Sequence, residues 1–191
     1  MANKFLRLEG RENWRMVIEI PPRELDGDSM EFGIERLIPA LLGQVSPILR
    51  KTDFVVQLAP EIIRENLDFN GKLTFGGGTG CYWVTKRDGK IVEMSKAYLT
   101  ISSRSLTMAK NHQINPGLTF FGLIAHEIFE IDNNIVDRIQ TLTQVGAPKY
   151  EEDPAELFAS ARATQFLGQQ FGGSYCIKAG CIYVPMINFS R

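Results

Sequence analysis

The chain has 191 residues, 44% of them hydrophobic, which is enough for one domain with a real core and marginal for two. Its 21 basic and 22 acidic residues give a formal net charge of −1, which excludes the strong positive field of a general nucleic-acid binder. No like-charge run marks a membrane anchor, and no apolar stretch approaches the ~20 residues of a membrane span.

The opening MANKFLRLEGRENWRM lacks the apolar segment of a signal peptide. Three cysteines, Cys81, Cys176 and Cys181, then read as reduced thiols rather than a disulfide framework, with Cys176 and Cys181 as core thiols. The expected setting is cytoplasmic or a virion interior. Phe5, Leu6 and Leu8 predict a strand before a turn at Gly10. Trp14, Met16, Ile18 and Ile20 alternate with Arg15, Val17 and Glu19, the period of a half-buried strand. Pro21-Pro22 stops it. Ser29 is the expected N-cap of a helix with an apolar face from Phe32 to Leu42, kinked or ended by Pro39.

A short strand over 54–58 and a short helix from Pro60 follow. Residues 70–103 read as antiparallel sheet: 72–75, then GGGTG, then 81–86 and 90–94 about an Asp88-Gly89 hairpin turn, then 97–101. No GK[ST] follows the glycines, so they form a turn or bulge, or admit a substrate backbone, rather than cradle a phosphate. Asn115-Pro116 caps and opens a long apolar helix, GLTFFGLIAHEIFEID, which Asn133-Asn134 is expected to interrupt before IVDRIQTLTQ. Gly146 to Lys149 is a loop. Asp153-Pro154-Ala155-Glu156 opens a further helix to about Gly168, with Glu156 as capping-box partner of Asp153. Ala155, Ala159 and Ala163 form a close-packing stripe on it. The tail is extended, with a turn at Ala179-Gly180. No linker or repeat divides the chain, so the fold class is α+β and the expectation is a single domain over 1–191.

The segment that can carry chemistry is Ile124-Ala125-His126-Glu127-Ile128-Phe129-Glu130. His126 and Glu130, four apart, share a helix face and could hold one metal ion. Glu127, about 100° around, could reach a water polarised by that ion. This is the arithmetic of the H-E-x-x-H zinc motif, in which the glutamate is the general base. The bland reading is an ordinary helix pair between His126 and Glu130.

Here the chain resembles the zincin metallopeptidases in the compact form of the ImmA/IrrE family, over about residues 70–168. The likeness rests on AHEIFE in an apolar helix, on the sheet ending in KAYLTIS before it, and on EEDPAELFASARATQFL after it. It implies an antiparallel sheet packed on an active-site helix. N-terminal strands and a helix would occupy 1–69, the zincin-like core 70–168 and an extended segment 169–191. It implies metal ligation by His126, Glu130 and Glu152, with Glu156 next for the third position, and Glu127 as catalytic base. The ion would be Zn, and the substrate a peptide or protein received on an edge strand, for which Ala97 to Ile101 is the candidate. No nucleic acid and no membrane partner is expected.

The chain departs from the family where Glu130 replaces the second histidine. His–Glu–Glu is a harder, more anionic ligand set that suits manganese or iron at least as well. Should a second imidazole be needed, His112 is the other histidine in the chain. The missing histidine also supports a rival reading, a non-catalytic interaction or structural protein with a degenerate site, of viral or mobile-element type. A weaker rival is a carboxylate-only glycosidase pairing Glu127 with Asp132, for which Tyr82 and Trp83 are the aromatic hints.

Overall fold

The computed structural model describes residues 4–25, 27–67, 73–135, 154–178 and 182–185. The architecture is α+β. Strands β1 (Lys4–Glu9), β2 (Arg15–Ile20), β3 (Asp53–Ala59), β6 (Gly78–Arg87) and β7 (Lys90–Ser102) form one sheet in the order β1-β2-β3-β7-β6. Two small hairpins accompany it, β4 (Ile62–Leu67) with β5 (Leu73–Gly76), and β8 (Tyr175–Lys178) with β9 (Ile182–Pro185). The helices are α1 (Gly27–Leu42), α2 (Ser103–Asn111), α3 (Pro116–Ile135) and α4 (Pro154–Phe171).

The sheet is mixed rather than antiparallel. β1–β2 and β6–β7 are antiparallel, but β3 runs parallel to both β2 and β7. A parallel pair needs a long crossover. Helix α1 lies in the connection between β2 and β3, and the β4–β5 hairpin and β6 lie in that between β3 and β7. The segment after Pro60, expected as a helix, is strand β4. The two strands expected over 90–101 are one, β7, thirteen residues long. Asp88 and Gly89 both adopt positive φ, 51° and 77°, as the turn between β6 and β7 requires.

Alternation along β7 decides which face is covered. Ala97, Leu99 and Ile101 are buried on the helix side, while Lys96, Tyr98 and Thr100 face the other way. On that outer face Trp83 meets Tyr98 edge-on, with ring centroids 5.4 Å apart. The inner face packs against α3, whose buried residues cover nearly the whole circumference from Pro116 to Ile135. Such a helix belongs in the middle of a domain. It is covered on one side by β6 and β7 and on others by α1, α2 and α4. Phe129 and Phe166 meet edge-on between α3 and α4, and each fully buried aromatic contributes about 1.5–3 kcal/mol of transfer free energy.

Asn115 caps α3 as expected, its Oδ1 accepting from the Gly117 and Leu118 backbone N–H groups at 2.8 and 3.1 Å. Asn133 and Asn134 do not interrupt the helix, which runs to Ile135. Asp132, just before them, is drawn into a buried network. Its carboxylate accepts from Arg162 Nη1 at 2.8 Å and from the Ser46 backbone N–H at 2.8 Å. Helix α1 begins at Gly27, ahead of the expected cap at Ser29, and continues through Pro39 for a further three residues. Helix α4 starts at Pro154 as expected. The expected helix after Ile135, the loop at 146–149 and the turn at Ala179-Gly180 lie outside the described residues. Among the described residues, no helix is long and apolar enough to cross a membrane.

Candidate metal centre

Helix α3 aims consecutive residues at different neighbours. Successive side chains on a helix are about 100° apart, so His126 faces α4 while Glu127 faces the sheet. Both are buried, at 1% and 2% exposure, although polar groups at that depth are costly unless paired. The stripe on α4 makes the first contact possible. Ala155, Ala159 and Ala163 are fully buried, and their short side chains let the two helices approach closely.

Helix α4 then grips the imidazole at both nitrogens. Glu156 Oε2 lies 2.8 Å from His126 Nε2, and Ser160 Oγ lies 3.2 Å from Nδ1. Glu156 and Ser160 are four residues apart, one turn on the same face. Glu130 completes the group. His126, Glu130 and Glu156 each offer one ligand atom, and those atoms lie within 4.8 Å of one another. Ligands about 2.1 Å from a tetrahedral ion stand about 3.4 Å apart, so small side-chain rotations would bring all three onto one ion.

Glu127 lies along the inner face of β6, where the glycines leave room for it. A Cβ on Gly78 would stand 2.6 Å from Glu127 Oε1, and one on Gly80 would stand 3.6 Å from Oε2. The glycine segment therefore accommodates a protein carboxylate against bare backbone. Tyr82, next on the same inward column, has a side-chain hydrogen bond with Asn134. Burial chiefly pushes the Tyr82 phenol above its ordinary range; the Asn134 bond opposes this, and the charge of Glu130 adds to it.

The electrostatics favour a cation. Burial pushes the His126 pKa down, but the hydrogen bond to Glu156 and the charges of Glu127, Glu156 and Glu130 outweigh it and hold the imidazole above its ordinary value. Three carboxylates thus surround one imidazole, two of them in buried residues. A divalent cation would balance this set, and its donors, one nitrogen and carboxylate oxygens, suit a transition-metal ion.

The expected site residues divide as follows. His126 and Glu130 meet as expected, and Glu127 stands beside them. Glu152, the expected third ligand, lies outside the described residues; Glu156, the next candidate, offers an atom within 4.8 Å of those of His126 and Glu130. His112 is exposed at the C-cap of α2 and takes no part in this cluster. Asp132, the carboxylate of the glycosidase reading, is committed to Arg162 and Ser46. The candidate edge strand at Ala97 to Ile101 is corrected: β7 is flanked on both sides, and among the described residues the sheet ends at β6. Ser160 was not anticipated; its only sequence signal is its four-residue spacing from Glu156. Cys81 is a free, exposed thiol, while Cys176 and Cys181, the expected core thiols, lie outside the described side chains.

Comparison with protein-family models, with curated proteins and with solved structures gave no match.

Proposed function

We propose that this chain is a zincin-like metal-dependent hydrolase acting on peptide bonds. The observation that carries the reading is the group of His126, Glu130 and Glu156 at the α3–α4 interface, with Glu127 beside it. His126, Glu130 and Glu156 would hold zinc, manganese or iron. When bound, such an ion supplies Lewis acidity, polarising a carbonyl and lowering the pKa of water. Glu127 is the general base. Its carboxylate takes a proton from the attacking water and delivers it to the leaving amine. Strand β6 supports a peptide as substrate. Among the described residues it ends the sheet, so an extended chain could pair with its outer edge, at the level where Gly78 and Gly80 meet Glu127.

The test is hydrolysis of a library of unstructured peptides, followed by mass spectrometry, for the metal-loaded chain and Glu127→Gln. The variant should keep its metal and lose at least ~100-fold in rate, the lower range for a general base. A variant that cleaves as fast as the natural chain would sink the role of Glu127.

A second reading has an observation of its own. His126 and Glu127 are almost fully buried, as suits a site that stabilises a non-catalytic interaction or structural protein. A metal-loaded natural chain that cleaves no peptide would favour that reading.

A further inference from the structure

We propose that Ser160 is a positioning residue that lets His126 present Nε2 to a metal by holding the ring in the required tautomer. The inference rests on the metal-centre reading and extends it to a residue that touches no metal.

The argument is one of proton accounting. Glu156 Oε2 is 2.8 Å from His126 Nε2. An ionised carboxylate only accepts, so in this arrangement Nε2 carries the proton. A metal needs the lone pair at that same atom. The neutral ring must then carry its proton on Nδ1, and that proton needs an acceptor in a buried setting. Ser160 Oγ lies within hydrogen-bond reach of Nδ1, at 3.2 Å.

A hydroxyl suits both states. It donates to Nδ1 when the proton is on Nε2, and by rotating its O–H it accepts when the proton is on Nδ1. A carboxylate at position 160 would only accept, and a methyl group would do neither. Starting from the neutral ring with its proton on Nε2, that proton would leave for water as one is taken from water at Nδ1; starting from the imidazolium, only the Nε2 proton would leave, to water, and Nδ1–H would stay on Ser160. In either case Glu156 would be freed from Nε2–H to serve as a ligand.

The fold puts Ser160 at this place by two features already described. It lies one turn beyond Glu156, so both point at the same ring. The buried alanines Ala155, Ala159 and Ala163 bring α4 close enough for a short side chain to reach Nδ1. Ser160 is itself only partly buried.

The test compares the natural chain with Ser160→Ala, Ser160→Thr and Ser160→Cys. Dissociation constants for Zn2+ and Mn2+ are measured by competition with a chelating indicator. The ring tautomer is read from nitrogen-15 shifts of the zinc-loaded protein, in which His112 is the only other histidine signal. Ser160→Ala should bind metal roughly 10–100-fold more weakly, the usual cost of losing a histidine's outer partner. Ser160→Thr keeps the hydroxyl and should bind close to the natural value. Ser160→Cys, a near-isostere whose sulfur accepts weakly, should follow Ser160→Ala, and it carries the comparison if Ser160→Ala does not fold. Equal affinity in all four, or a zinc-loaded ring protonated on Nε2, would overturn the proposal and leave the metal centre standing. A natural chain that binds neither ion would overturn both.

Discussion

A methyl group on Gly78 would sit 2.6 Å from Glu127 Oε1, well inside the contact distance of carbon and oxygen. Since the intruder would meet the end of a side chain, Glu127 would yield before the strand did. Gly78→Ala should therefore damage chemistry more than stability. A displacement of about 1 Å at a catalytic group can cost ~100-fold in rate, and that loss should appear in peptide hydrolysis while metal content stays unchanged. A variant with natural activity would show that the carboxylate's position there is irrelevant. At this scale the sequence was readable in part. The spacing of His126, Glu127 and Glu130 was visible because helix geometry follows directly from it. Glu156 was harder, because three residues after Asp153 it has the signature of a local cap. Packing of α4 on α3 sets its Oε2 2.8 Å from His126 Nε2, a contact no local pattern shows. No local pattern marks Ser160, whose importance arises only from its distance to another helix.

Helices α3 and α4 are also joined away from the site. Arg162 Nη1 donates to Asp132 Oδ2 at 2.8 Å and to Asn133 Oδ1 at 2.9 Å, and Nη2 donates to the Gln44 carbonyl at 3.0 Å. Its guanidinium lies 4.2 Å from the centre of the Phe129 ring. Asp132 is buried at 1% exposure, so Arg162→Ala would strand a charge in the interior. The expected loss is about 3–5 kcal/mol of unfolding free energy, measured by urea denaturation. Adding Asp132→Asn should recover part of it, because the stranded charge is gone; a double variant no better than the single would contradict this account. Elements were legible where periodicity was strong. The strand from Arg15 to Ile20, the long apolar helix and the Asp88-Gly89 hairpin all appear as expected. Helix α2 carries little sequence signal, since Leu106 and Ala109 are its only buried apolar residues and its composition is polar. Strand β4 reads as helix in the sequence, because Pro60 followed by Glu61 imitates a helix start.

Over the whole molecule, the parallel pairings of β3 escaped the sequence reading because they join segments far apart in the chain. That placement decides the function proposed here. It puts β7 inside the sheet and, among the described residues, β6 at its end, where Gly78 and Gly80 border the Glu127 carboxylate. The same assembly gathers the acidic groups of Glu127, Glu130 and Glu156 around His126, in a chain whose net charge is only −1. A cation bound there should stabilise the fold through mass action, by about 2.7 kcal/mol at a free concentration one hundred times its dissociation constant. The most direct test of the account is metal content by mass spectrometry of the natural chain, alongside His126→Ala, Glu130→Ala and Glu156→Ala. The account predicts about one zinc, manganese or iron per chain, lost in each variant. A natural chain that holds no metal, even after incubation with zinc or manganese, would contradict it and leave His126 and its carboxylates as a buried polar contact between two helices.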